Sequence, residues 1–194
     1  MKLNSRRTIL TGLAFLSICA FWQMYDSVIP LILTKTFHMN ETFSGAIMAA
    51  DNVLALFLLP FFGARSDKTN TKIGKRMPYI LFGTGCAVIL MNLLPLMDNS
   101  YAAAPSGFKT ASFVIVLGLL LIAMGTYRSA AVALMPDLTP KPLRSRANAI
   151  INLMGAVGGI LYLGLAAVLY PASKTKGLAH VSYRPLFFIV SMIM

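Results

Sequence analysis

A chain of 194 residues that is 57% hydrophobic and 12% charged, with a mean hydropathy of +0.73, is too apolar for an ordinary water-soluble domain. Its net charge of +11 would point to nucleic acid in a soluble protein, but here the bases must first be sorted by position. Both cysteines, Cys19 and Cys86, fall inside apolar runs, which argues against a disulfide scaffold, and no metal-ligand spacing occurs.

Six apolar segments follow in chain order, at about residues 9–33, 43–62, 78–97, 111–134, 147–170 and 185–194. A helix needs roughly 20 residues to cross about 30 Å of hydrocarbon, so the first five are long enough to span. The sixth supplies about 15 Å of helix at ~1.5 Å per residue and does not span alone. The fold class expected is therefore all-α, a polytopic membrane bundle. The simplest explanation of the short sixth segment is the N-terminal part of a longer protein. The first segment follows Lys2, Arg6 and Arg7 as a signal peptide would, yet it is too long for one. Trp22, Gln23, Tyr25 and Asp26 also stand where a cleavage site needs small residues, so the segment is expected to be retained.

Ionisable groups at membrane depth are rare and face a partner or a cavity. In the first segment Trp22, Gln23 and Asp26 share a helix face by their spacing of three and four. A carboxylate, an amide and an indole together offer hydrogen bonds and a stacking surface to a sugar-like solute. Asp26 could equally hold a coupling cation, or pair structurally with Arg128. In the second segment Asp51 could bind a cation or proton and Asn52 could bond solute, or the two could form an interhelical clasp worth ~0.6–2 kcal/mol.

The connection between the second and third segments runs Asp67-Lys-Thr-Asn-Thr-Lys-Ile-Gly74-Lys75-Arg76. It is preceded by Pro60-Phe-Phe-Gly63 and followed by Pro78-Tyr79-Ile80. Its cations favour the cytoplasmic side. Gly74 permits a tight turn, and Asp67 is placed to cap or clamp a helix end. Further on, Arg128 is the one base within a span, with Tyr127 beside it; Asp26 and Asp51 are its candidate partners. Pro136 is expected to end the fourth helix. Asp137 then meets water near Arg144 and Arg146, so Asp67, Arg76, Asp137 and Arg144 read as an inside gate of ion pairs, the loop adding Gly74 and Lys75. In the fifth segment Gly155 and Gly159 form a small-residue face for close helix packing.

Counting bases with the N-terminus inside gives eleven on the cytoplasmic side (Lys2, Arg6, Arg7, Arg65, Lys68, Lys72, Lys75, Arg76, Lys141, Arg144, Arg146). Five fall outside (Lys35, Lys109, Lys174, Lys176, Arg184). The positive charge is thus mainly an orientation signal, implying a cytoplasmic N-terminus in the cell membrane and no nucleic-acid partner.

The 63–80 connection resembles the loop between the second and third helices of the major facilitator superfamily of transporters, in particular its sugar–cation symporter branch. The stretch from Arg128 through Pro136 and Asp137 to Arg144-Ser-Arg146-Ala-Asn148 is similar to the fourth-to-fifth helix connection of sucrose-type and glycoside-type symporters. The resemblance implies the N-terminal six-helix bundle of a twelve-helix carrier. Its expected function is proton- or sodium-coupled uptake of a sugar or glycoside by alternating access, with solute held between this half and a C-terminal half. No cofactor beyond the coupling ion is implied. The chain departs from melibiose-type symporters, whose second helix carries a pair of acids where Ala55 and Leu59 stand here. It also lacks the proline of the glycine-rich fifth-helix signature of drug–proton antiporters, the alternative within the superfamily. A membrane-embedded enzyme using Asp26 and Asp51, or a non-transporting fragment, are readings of another class. There is no nucleophile elbow, P-loop or dinucleotide fingerprint, and His38 and His180 sit in predicted outer loops without metal-ligand neighbours.

Overall fold

A computed structural model describes residues 5–175, 178 and 180–194. Lys2 and Lys176 of the base count lie outside the described residues. Helices dominate and no strand occurs among the described residues: α1 (Ser5–Leu31), α2 (Glu41–Lys68), α3 (Met77–Ala103), α4 (Gly107–Leu138), α5 (Arg144–Leu169), the short α6 (Ala172–Thr175) and α7 (Arg184–Ile193). Five are long and apolar enough to cross a membrane, and the apolar α7 is shorter. The chain is a multi-pass helical membrane protein.

Local chemistry sets the helix ends. α1 passes into a π-helical turn, Ile32–Thr36, closed by Phe37 N–H donating to Ile32 O at 3.1 Å. His38 then takes φ +51° and Met39 N–H reaches back to Leu33 O at 3.0 Å, a left-handed C-terminal closure. Asn40 caps α2 by accepting from Thr42 N–H at 3.2 Å, with Glu41 in the first turn facing the positive end of the helix dipole. Pro78 occupies the opening turn of α3, where its missing donor costs nothing.

Several helix ends differ from the sequence reading, among them that of α3, which runs to Ala103 and not about residue 97. α2 runs to Lys68 and not about residue 62, so Ser66 and Asp67 lie on its final turn. Pro136 does not end α4, which continues to Leu138. The proline removes a donor only where the ladder is about to stop, so the penalty is small there. Arg144 further stabilises this end by donating from Nη2 to Pro136 O at 2.9 Å and from Nε to Thr139 O at 3.3 Å.

The tightest helix pairs are α1 with α5, α3 with α4, and α2 with α4. The core gathers Phe21, Met24, Tyr25, Met91, Leu94, Phe113, Leu117, Leu120 and Phe187 from α1, α3, α4 and α7. At the α1–α5 contact a Cβ on Gly155 would meet Cys19 Sγ at 2.9 Å, and one on Gly158 would collide with the Leu16 carbonyl. Gly159, by contrast, has nothing nearer than Gln23 Oε1 at 4.0 Å. The close approach therefore uses Gly155 and Gly158, one turn of three residues, and not the Gly155–Gly159 spacing of four. The apolar window of α2 is the opposite case, with none of its residues buried. That helix presents its hydrophobic length to lipid or to another polypeptide surface.

Candidate functional site

A narrow cleft lies between α1, α2 and α4, lined by Trp22, Asp51, Leu54, Leu58, Gly125 and Arg128 among others. A Cβ on Gly125 would press on Leu58 at 3.3 Å, so the bare glycine keeps α2 and α4 close along the cleft. Ser129 ties the same helices by donating to Leu59 O at 2.9 Å.

Arg128 is held over the face of Trp22, its Cζ 5.6 Å from the ring centroid, within cation–π range. No carboxylate lies within ion-pair distance of Arg128 among the described residues. Asp51 lines the same cleft, and its Oδ1 accepts from the Asn52 backbone at 2.7 Å and from Asn52 Nδ2 at 3.0 Å. Asp26 is exposed one turn beyond Trp22, and Gln23 faces α5 near Gly159. Of the seven residues assigned to the cavity from sequence, Trp22, Asp51 and Arg128 meet in one cleft.

Tyr127 does not join them. Successive helix residues point about 100° apart, and Tyr127 turns into α1, where its hydroxyl bonds the Ser17 hydroxyl at 2.8 Å and Ala14 O at 3.2 Å. It anchors α4 against α1 and so fixes the rotation that aims Arg128 at Trp22. Two buried polar atoms beside the aromatic cluster, Trp22 Nε1 and Tyr25 Oη, have no hydrogen-bond partner among the described residues. Buried donors of this kind are costly to leave unmade. Tyr25 was not singled out from sequence, because a tyrosine in an apolar run looks like any other core aromatic.

A second polar cluster lies where α2 ends, α3 begins and α4 ends. Arg76 is nearly buried and reaches three partners: Nη2 to Asp67 Oδ1 at 2.6 Å, Nε to Asp137 Oδ2 at 2.7 Å, and Nη1 to Ser66 Oγ at 2.6 Å. Ser66, fully buried, is a member not foreseen from sequence. Gly74 takes φ +106°, and Gly74 N–H bonds Thr71 O at 3.0 Å, the tight turn that carries the chain back to Arg76. Lys75 is exposed. Arg144 makes no ion pair with these acids; it caps α4 as described above. Tyr79 adds a further strut, its hydroxyl 2.8 Å from Thr69 Oγ1.

Charged groups at depth beside a cleft, together with a charged tie at the end of the bundle, are features of a membrane carrier. The Major Facilitator Superfamily profile matches residues 11–194. The chain belongs to this superfamily. Among curated relatives, the sucrose transport protein SUC3 of Arabidopsis thaliana is 33% identical over 139 residues, covering 66% of this chain and 23% of that protein. The sucrose transport protein SUT3 of Oryza sativa subsp. japonica is 28% identical over 170 residues, covering 78% of this chain and 33% of that one. The alpha-ketoglutarate permease of Escherichia coli K12 is 25% identical over 195 residues, covering 98% of this chain and 41% of that one. The chain thus spans well under half the length of each of these relatives. No solved structure matches it at a significant level. Membership groups the chain with a superfamily of transporters.

Proposed function

We propose that this chain is the N-terminal bundle of a twelve-helix carrier in the cell membrane that moves a sugar or glycoside by cation-coupled symport. The observation that carries this reading is Arg128 stacked on Trp22 in a cleft that also contains Asp51. An indole face packs against the apolar face of a pyranose, while a guanidinium and a carboxylate supply donors and acceptors for its hydroxyls. Asp51, with Asp26 one helix away, is the candidate site for the coupling proton or sodium ion. The similarity to sucrose transport proteins supports the sugar assignment. A C-terminal half completes the cavity, the N-terminus is cytoplasmic, and the Arg76 cluster closes the inner end in one of the two access states.

A second reading keeps the same cleft and changes the solute. Arg128 has no carboxylate within ion-pair distance among the described residues, which leaves its guanidinium open to an anionic metabolite. Similarity to alpha-ketoglutarate permease extends along nearly the whole chain. One experiment separates the two. The polypeptide encoded by the full reading frame is reconstituted in vesicles, and uptake of labelled sucrose, a methyl glucoside and a dicarboxylate is measured with and without imposed proton or sodium gradients. Gradient-driven sugar accumulation that is abolished by Arg128→Ala supports the first reading. Dicarboxylate accumulation without sugar uptake replaces it with the second, and gradient-independent uptake of every solute removes the coupling.

A further inference from the structure

At the end of the bundle opposite the Arg76 cluster, Asp98 sits in the last turns of α3, completely buried, its carboxylate oxygens making no well-formed hydrogen bond among the described residues although the Thr36 hydroxyl stands beside them. A buried carboxylate without a partner is costly, so something must neutralise or bond it. Beside it stands His180, in the connection between α6 and α7. Its Nε2 lies 3.7 Å from Asp98 Oδ2 and 2.9 Å from Asn99 Oδ1, and its Nδ1 lies 3.4 Å from Thr36 Oγ1. Both ring nitrogens therefore face oxygen. The Thr36 hydroxyl can donate to Nδ1 of a neutral ring or accept from the N–H of an imidazolium, so the site accommodates the ring in both protonation states.

We propose that Asp98 and His180 form a proton-binding clasp that fastens the connection before α7 to the ends of α1 and α3. The clasp ties three parts of the chain at once. His180 reaches Thr36 beyond α1 and Asn99 on α3, Asn99 Nδ2 donates to Ser182 Oγ at 3.0 Å, and the Tyr170 hydroxyl donates to Ser182 O at 2.8 Å. An open hollow lined by Lys35, Thr36, His38, His180 and Tyr183 gives water, and hence protons, a route to the ring.

The ligand is a proton and not a metal ion. No group of three or more histidine, cysteine or acidic side chains gathers among the described residues, and the Lys35 ammonium faces the same hollow. The titratable and charged groups around His180 are Asp98 and Tyr101 on α3, Lys35 and His38 beyond α1, and Tyr183 on its own connection. Tyr183 does not compete for the proton, because burial, reinforced by the Asp98 carboxylate and by Tyr162, pushes its phenol above the usual range. The sign follows from the pair. The clasp is complete while His180 is cationic and Asp98 anionic. It loosens when the ring gives up its second proton, because Asp98 is then left without a counter-ion.

The test uses the product of the full reading frame in lipid nanodiscs, with its native cysteines, Cys19 and Cys86 included, replaced by alanine and spin labels at Leu178→Cys and Ala102→Cys. Both labelled positions are exposed, so the labels do not disturb the core. The expected result is a narrow label-to-label distance distribution at pH 5.5 that broadens at least twofold by pH 8.5. His38→Gln should keep that response, and His180→Gln should abolish it. His180→Lys carries its charge throughout and should stay narrow at both pH values, a check that remains available if Asp98→Asn fails to fold. A width that does not change with pH, or a pH response that survives His180→Gln, overturns the clasp.

Discussion

Arg76 and Asp137, 61 positions apart in sequence, meet at 2.7 Å, joining the start of α3 to the end of α4. The same guanidinium holds Asp67 on α2, so one side chain ties three helix ends. A planar fork can bond three partners in different directions, which a lysine ammonium on a flexible stem does poorly. Arg76→Lys is therefore expected to slow transport nearly as much as Arg76→Ala. Asp67→Asn should also slow transport while leaving solute binding measurable. Because Asp67 is 61% exposed, its loss should cost less than about 1 kcal/mol of fold stability. Flux and equilibrium binding of the same preparations decide the matter; loss of binding with an intact fold would contradict a role confined to the bundle end.

The orientation of the bundle can be read separately. In the proposed topology, which rests on eleven bases against five, the Thr71 turn is cytoplasmic and the Ser106 connection lies outside. A cysteine at Thr71 should react with an impermeant maleimide only in inside-out vesicles, and one at Ser106 only in right-side-out vesicles. The reverse pattern inverts the topology.

The elements most legible in the sequence were those with a long-range physical cause. Five apolar runs of spanning length became α1 to α5, because nothing but a helix satisfies its own backbone in lipid. The Asp67–Arg76 and Asp137 pairing was legible because buried or interfacial charges must find partners. Helix rotation was not legible, since it depends on which small residues touch. The four glycines of the fifth segment offered several possible faces, and the one in use, Gly155 with Gly158, was decided by the Cys19 side chain and the Leu16 backbone of α1. The same rotation separated Tyr127 from Arg128, two neighbours in sequence that face different helices. Asp98 went unnoticed because it stands just past the third apolar run, where an acid looks like an ordinary solvated end.

That packing yields a stability contrast. Gly158→Ala forces a methyl group against the Leu16 carbonyl and is expected to destabilise the bundle by about 1–3 kcal/mol. Gly164→Ala meets nothing within 4 Å and should be neutral or stabilising by up to about 1 kcal/mol, as expected for alanine in a helix. Thermal unfolding in one detergent, followed by circular dichroism, separates the two. Equal shifts would mean that α1 and α5 do not approach as described.

The coupling groups call for a combined test, because Asp51 and Arg128 line one cleft while Asp26 is exposed on α1. If an acid holds the coupling ion, its neutralisation should abolish uphill accumulation and leave equilibrative exchange, provided that it does not also hold solute. Asp51→Asn is expected to do this more severely than Asp26→Asn, since Asp51 shares its cleft with Arg128 and Asp26 does not. Arg128→Ala should lose solute binding as well, because it removes the group stacked on Trp22. It also leaves the Asp51 carboxylate at depth with no cation in the cleft, an arrangement costly in a membrane. Adding Asp51→Asn to Arg128→Ala should therefore recover part of the lost fold stability without restoring accumulation, a non-additivity expected only of groups that interact. Flux with and without an imposed ion gradient, in vesicles containing the product of the full reading frame, gives the functional arm, and unfolding gives the other. Gradient-driven accumulation at the unmodified level in both Asp26→Asn and Asp51→Asn would exclude these acids from coupling and move the ion site to a helix beyond this bundle.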